Sequence, residues 1–165
     1  MKAEPIVESG MIFGGHDESD LFHMEESPIR EMLGLRTVEF VLRHRDNEIL
    51  LVEAKSSSPK PGNLEKFDDF IEEIRDKFIH TLDLYFSIIV NRQTADEMPA
   101  GFKTADYSSV KIILLLVING HQIKWLPPIK DALKARLKRH IKTWLLDVVV
   151  LNHEQAFSHG LIQQP

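Results

Sequence analysis

The chain has 165 residues, of which 43% are hydrophobic and 27% are charged, as expected for one globular domain spanning residues 1–165. It has no cysteine, no apolar run near the roughly 20 residues that cross a bilayer, and no secretory signal at its start. These features exclude a disulfide scaffold and thiol chemistry, and they predict a cytoplasmic protein without a membrane partner. The net charge of −5 excludes a surface that is basic throughout.

The first third of the chain predicts short strands around one short helix. The segments GMIFGG and DLFHM are extended pieces broken by glycines and acids. Ser27 and Pro28 begin a helix, because serine caps helices and proline costs little at the first helical position, and Gly34 ends it. Residues 36–43 and 48–55 then predict two strands joined by the tight polar turn RDNE.

The remaining chain predicts two helices alternating with two strands. A long amphipathic helix begins near Asn63, and a loop follows at residues 91–109. Residues 110–118 are apolar on both faces of a strand, which places that strand at the centre of a covered sheet. A basic helix opens at Pro127-Pro128, and residues 147–152 form a last strand. The order predicts an α/β fold with a mixed central sheet flanked by helices.

Charged residues stand where strands should feed the core. Because strand side chains alternate, Glu53 and Lys55 share one face of the second predicted strand. If the hairpin pairs Glu39 with Glu53, two carboxylates gather at the end of the sheet and require a counter-charge. A salt bridge among ordinary strand-end charges is one explanation, and a divalent cation is the other. Hard oxygen ligands of this kind suit Mg²⁺ or Mn²⁺.

An acid at position 39, followed fourteen positions later by Glu-x-Lys after an apolar run, resembles the pattern of the PD-(D/E)xK nuclease superfamily, whose fold is restriction-endonuclease-like. The resemblance implies that Glu53 is a metal ligand, that Lys55 is the catalytic lysine, and that Glu39 replaces the usual aspartate. It also implies a third acid from the first helix, which is Glu26 or Glu25 in this chain. The activity implied is Mg²⁺-dependent hydrolysis of nucleic acid, with DNA as the expected substrate and a homodimer as one possible form.

Charge is divided unevenly along the chain. Residues 1–76 carry eighteen acidic side chains against nine basic ones, whereas residues 120–144 carry seven basic side chains against Asp131 alone. A basic helix surface can track a phosphate backbone without reading sequence, although a merely solvated face has the same composition. The residues expected to contact nucleic acid are Lys134, Lys138, Arg139 and Lys142.

Three further features remain open. Lys77 and His80 of the long helix could face the acids across the end of the sheet. The segment HDESDLFH has histidines and acids, but we interpret it as a polar loop because no helix supports a ligand face there. Asn119-Gly120-His121 predicts a hairpin turn into an extended piece at residues 122–125.

A second function of a different class also fits the sequence. The acidic overall charge and the glutamate at position 39 favour a non-catalytic interaction or regulatory module on the same fold, which binds a partner protein or nucleic acid. The basic helix and the complete set of acids and lysine favour the nuclease.

Overall fold

The computed structural model describes residues 1–45 and 47–164, so Asp46 of the predicted turn lies outside the described residues. The chain begins with a two-stranded antiparallel sheet, β1 (Ile6–Glu8) and β2 (Met11–Phe13). A mixed sheet follows in the spatial order β3-β4-β5-β6-β7. Its strands are β3 (Leu21–Phe22), β4 (Phe40–His44), β5 (Glu48–Lys55), β6 (Lys111–Ile118) and β7 (Asp147–Asn152).

The mixed sheet changes direction at β5. Strands β3, β4 and β5 form an antiparallel meander, whereas β5, β6 and β7 run parallel. Parallel neighbours require crossover connections, and helices supply both of them. The carboxyl ends of the three parallel strands therefore meet at one end of the sheet. We call this end, where Lys55, Ile118 and Asn152 lie, the carboxyl edge.

Six α-helices surround the sheet, and none of those described is long and apolar enough to cross a membrane. Asn63 caps the longest helix by accepting a hydrogen bond from the Lys66 N–H, which confirms the predicted start. Gly34 ends the first helix in the left-handed conformation, also as predicted. The helices are α1 (Pro28–Leu33), α2 (Leu64–Ile89), α3 (Ala100–Lys103), α4 (Leu126–Arg136), α5 (Lys138–Trp144) and α6 (His153–Ser158).

Each face of the mixed sheet packs on its own hydrophobic core. Ile49 and Leu51 of β5 pack with α2 and α4, while Leu50 and Val52 pack with the N-terminal strands and α6. This alternation confirms the period-two pattern predicted for the strand. It also places Glu53 and Lys55 on the same face of the sheet as Leu51, which is the face that α2 covers.

Four details differ from the sequence-based expectation. The predicted extended piece at residues 122–125 is a short 3₁₀ helix, Ile123–Trp125, which leads directly into α4. The predicted loop at residues 91–109 contains α3. The single basic helix is interrupted at the buried Leu137, whose backbone angles of −100° and 8° separate α4 from α5. Finally, the extended piece DLFHM, which the sequence did not assign to the central sheet, supplies β3, so α1 lies between the first and second strands of the meander.

Candidate metal centre at the carboxyl edge

Glu39 and Glu53 lie side by side where β4 and β5 meet the carboxyl edge. The β4–β5 register ends with Phe40 opposite Val52, and Glu53 is the next residue of β5. The Glu39 N–H, just before β4, donates to the Val52 carbonyl at 3.1 Å, which is one residue out of that register. The Glu39 carboxyl group contacts that of Glu53 through a side-chain hydrogen bond. The predicted proximity of these two acids is therefore confirmed.

A third carboxylate joins them from the segment after β3. The Glu25 N–H donates to the Glu39 carbonyl at 3.2 Å, and oxygens of Glu8, Glu25 and Glu39 lie within 4.8 Å of one another. The side chain of Glu26 is instead 82% exposed, beside the His23 ring at 3.8 Å. The sequence left Glu25 and Glu26 as alternatives, and the structure brings only Glu25 to the other acids.

Glu8 completes the group, and sequence reasoning missed it. It ends β1, and the turn after it is tight because Ser9 and Gly10 both have positive φ angles, 53° and 75°. The Asn119 side-chain amide, just after β6, donates to the Ser9 carbonyl at 3.0 Å. The Ser9-Gly10 pair signals a turn in the sequence, but no pattern indicates where that turn docks. We call Glu8, Glu25, Glu39 and Glu53 the acid cluster.

Glu53 is the most deeply buried member of the acid cluster. Its side chain is 0% exposed, and its Oε2 atom is closed off from solvent. The Lys77 ammonium lies 2.9 Å from that oxygen and balances its charge. Burial raises the pKa of Glu53, and the charge of Lys77 opposes this rise.

Glu39 and Glu8 also hold their protons more tightly than usual. Burial raises the pKa of Glu39 well above its ordinary value, and hydrogen bonding to Glu25 and the charge of Glu53 raise it further. Burial is also the main cause of the raised pKa of Glu8, followed by the charge of Glu25. Half-buried carboxylates that repel one another favour either protons or a cation. The acid cluster therefore fits Mg²⁺ or Mn²⁺ in the chemistry of its donors.

Lys55 lies at the carboxyl edge but is engaged elsewhere. Its ammonium donates to Glu73 Oε1 of α2 at 2.6 Å, and Arg36 approaches the same oxygen at 3.7 Å. Burial would raise the pKa of Glu73, but the hydrogen bond and charge of Lys55 outweigh it and the pKa is lowered. In this structure the predicted catalytic lysine belongs to an ion pair between β5 and α2.

From the sequence, Lys77 and His80 of α2 could both face the acids. Lys77 contacts Glu53, whereas His80 has another partner. His80 Nδ1 accepts a hydrogen bond from the Arg36 N–H at 3.2 Å. One turn after Lys77, the buried Thr81 hydroxyl accepts from the Val38 N–H at 2.9 Å and donates to the Lys77 carbonyl at 2.6 Å. Thr81 thereby ties α2 to the strand segment that carries Glu39.

The basic residues predicted to contact nucleic acid form a separate surface. The side chains of all four are exposed, and within residues 1–45 and 47–164 none forms an ion pair. α5 ends at Trp144, just before β7 starts at the opposite end of the sheet from the carboxyl edge. We call Lys134, Lys138, Arg139 and Lys142 the basic surface. No described contact joins it to the acid cluster.

The segment HDESDLFH does not gather its polar side chains. The His16 ring contacts the Leu161 carbonyl at 3.3 Å, Asp17 pairs with Lys2 at 3.1 Å, and Asp20 approaches Arg43 at 3.8 Å. Each side chain serves a different neighbour, as expected of a polar loop.

Comparisons of this chain with protein-family models, with curated proteins and with solved structures found no match. The function of this chain must therefore be inferred from the geometry of the acid cluster and not from a relative.

Proposed function

We propose that this protein is a Mg²⁺- or Mn²⁺-dependent hydrolase of nucleic-acid phosphodiester bonds, with DNA as its expected substrate. One observation carries the proposal. At the carboxyl edge, Glu39 contacts the fully buried Glu53, and oxygens of Glu39, Glu25 and Glu8 lie within 4.8 Å of one another. Carboxylates are rarely buried together unless a counter-charge is bound between them.

The order of the strands supports a restriction-endonuclease-like fold for this activity. An antiparallel meander leads through the crossover helix α2 into β6, which runs parallel to β5. This is the order of the PD-(D/E)xK core, with the acids on the second and third strands. The position of α1 inside the meander is a departure, and the N-terminal hairpin stands where that core has its first helix.

The acid cluster would hold the cation through oxygens of Glu39, Glu53 and Glu25, with Glu8 beside Glu25 and Glu39. When bound, such a cation polarises the phosphodiester and makes hydroxide available near neutral pH. The chain's own groups orient and balance these ligands. The Glu39 backbone is fixed by its hydrogen bond to the Val52 carbonyl, and the Glu53 side chain is held against the Lys77 ammonium.

The first test is calorimetric titration of Mn²⁺ into the wild-type protein and three variants. Glu53→Gln and Glu25→Gln should each weaken binding by about tenfold or more, because each removes a ligand charge. Glu26→Gln is the matched control and should bind like the wild type. Binding that survives Glu53→Gln unchanged would overturn the proposed metal centre. Cleavage of plasmid DNA with Mn²⁺ should then follow the same ranking.

A second function is favoured by one observation. The Lys55 ammonium donates a hydrogen bond to Glu73, so the lysine of the Glu-x-Lys motif does not face the acid cluster. This arrangement is compatible with a non-catalytic interaction or regulatory module on the same fold. The two functions differ in one measurement. A protein that is stabilised against heat by Mn²⁺ but cleaves neither DNA nor RNA would be the binding module.

A further inference from the structure

We propose that Lys77 of α2, and not Lys55 of the Glu-x-Lys motif, is the lysine of the acid cluster, where it holds the Glu53 side chain in position. This inference rests on the metal centre proposed above and names the charge partner that the chain itself provides. It makes Lys77 a positioning residue that acts through Glu53.

The distances separate the two lysines. Lys77 Nζ lies 2.9 Å from Glu53 Oε2, and Lys55 Nζ lies 2.6 Å from Glu73 Oε1. Each ammonium thus has one close carboxylate, and these carboxylates belong to different groups. Glu53 is a member of the acid cluster, whereas Glu73 lies between Lys55 and Arg36.

The pairing follows from the geometry of a strand packed against a helix. Glu53 and Lys55 are two residues apart on β5, which separates them by about 6.6 Å on one face. Glu73 and Lys77 are four residues apart on α2, which separates them by about 6 Å along the helix. Because the two spacings match, α2 can set Lys77 against Glu53 and Glu73 against Lys55 at once. The strand and the helix are thereby joined by two ion pairs, Lys77 with Glu53 and Lys55 with Glu73.

The surroundings of Lys77 suit a charge that serves a buried acid. Its side chain is 13% exposed against 24% for Lys55, so its attraction to Glu53 is less screened by water. Burial alone would lower the pKa of Lys77, but the charge of Glu53 and its hydrogen bond outweigh this, and the pKa is raised. Lys77 therefore remains an ammonium group beside the acids at neutral pH.

The first experiment uses the metal-free protein and measures thermal unfolding. Lys77→Met should lower the melting temperature because it leaves Glu53 without a counter-charge, and adding Glu53→Gln should restore most of the loss. Lys55→Met should show no such coupling to Glu53→Gln and should couple to Glu73→Gln instead. Coupling of Glu53 to Lys55 and not to Lys77 would overturn the inference. If Lys77→Met alone does not fold, the double variant and Lys77→Arg supply the comparison.

The second experiment measures Mn²⁺ affinity by calorimetry at one pH, with the conservative variant as the rescue. Lys77→Met should bind Mn²⁺ about tenfold more weakly than the wild type, because Glu53 is no longer held in place. Lys77→Arg should restore binding, and Lys55→Met is the matched control. Equal affinities for Lys77→Met and the wild type would contradict the inference. A wild-type protein that binds no Mn²⁺ would refute the metal centre, while the metal-free experiment would still assign the lysine.

Discussion

At the scale of single residues, the acid cluster lowers the stability of the folded, metal-free protein. Glu39 is half-buried beside Glu25 and Glu53, and its pKa is raised by burial first and by these neighbours second. In the folded, metal-free protein this carboxyl group keeps its proton at a pH where the unfolded chain releases it. The folded state therefore binds more protons than the unfolded state above the ordinary pKa of glutamate, and its stability falls as the pH rises through that window.

The first residue-scale prediction concerns Glu39→Gln in metal-free protein. The amide needs no proton to be neutral, so the variant should be more stable than the wild type by about 1 kcal/mol or more at pH 8, which is about 2–4 °C in melting temperature. The gain should shrink toward zero below about pH 4, where the wild-type carboxyl is protonated in both states. Melting curves between pH 4 and pH 8 provide the measurement.

The control for this variant is Glu4→Gln, which removes an exposed acid outside the cluster and should leave the pH dependence unchanged. With saturating Mn²⁺ the difference should shrink or reverse, because the wild type binds the cation more tightly and gains more stability from it. A Glu39→Gln protein that is less stable than the wild type at pH 8 without metal would contradict the assigned cause of the raised pKa.

At the scale of elements, α2 is the part of the fold that organises the carboxyl edge. Three residues at successive turns, Glu73, Lys77 and Thr81, meet β5 and the segment that leads into β4. The first two make ion pairs, and the third satisfies the backbone N–H of Val38, which is buried and lies next to Glu39. The position of Glu39 thus depends on a hydroxyl group that is not itself part of the acid cluster.

The element-scale prediction is that Thr81→Val destabilises the protein by about 1–3 kcal/mol, since it leaves the Val38 N–H buried without an acceptor. Mn²⁺ binding should weaken in the same variant, because the strand segment before β4 loses its anchor. Thr81→Ser keeps the hydroxyl and should bind Mn²⁺ like the wild type. Denaturant unfolding and calorimetry measure the two effects, and equal stability of the valine and serine variants would refute the anchoring role.

The sequence predicted the elements better than it predicted their partners. Alternation along β5 placed Glu53 and Lys55 on one face, and pairing across the hairpin brought Glu39 to Glu53. Both inferences used local periods, which a sequence displays directly. The partner of Lys55 and the arrival of Glu8 depend on how α2 and the N-terminal hairpin dock. Docking is decided by packing between distant segments, and no local pattern reports it.

At the scale of the whole molecule, the two charged surfaces occupy different ends of the sheet. The acid cluster lies at the carboxyl edge, and the basic surface extends along α4 and α5 toward the start of β7. Arg136 is not part of that surface, because it pairs with Glu72 and Asp68 of α2. A nucleic acid held by both surfaces would have to follow the side of the molecule formed by α2 and α4.

The whole-molecule prediction tests this arrangement with a variant in which all four residues of the basic surface are changed to glutamine. Its affinity for duplex DNA should fall, and the slope of log affinity against log salt should become shallower by about 0.9 for each phosphate group that the variant no longer neutralises. Fluorescence anisotropy in the presence of a chelator measures binding without cleavage. Mn²⁺ binding should not change, because the acid cluster is left intact.

The matched control changes Lys103 and Lys111, which are exposed lysines outside the basic surface, and it should retain the wild-type salt dependence. If the glutamine variant binds DNA with the wild-type affinity and slope, α4 and α5 are only a solvated face. The contacts to nucleic acid would then have to come from the carboxyl edge itself.

The hydrogen bond between Asn119 and the Ser9 carbonyl joins residues 110 positions apart and brings Glu8 to the acid cluster. Closing so long a loop has an entropic cost that is recovered only after β6 has formed against β5. During synthesis, the docking partner of the turn after Glu8 emerges from the ribosome more than a hundred residues after that turn. The site is therefore expected to assemble at a late stage of folding, when the N-terminal hairpin docks on the central strands of the sheet.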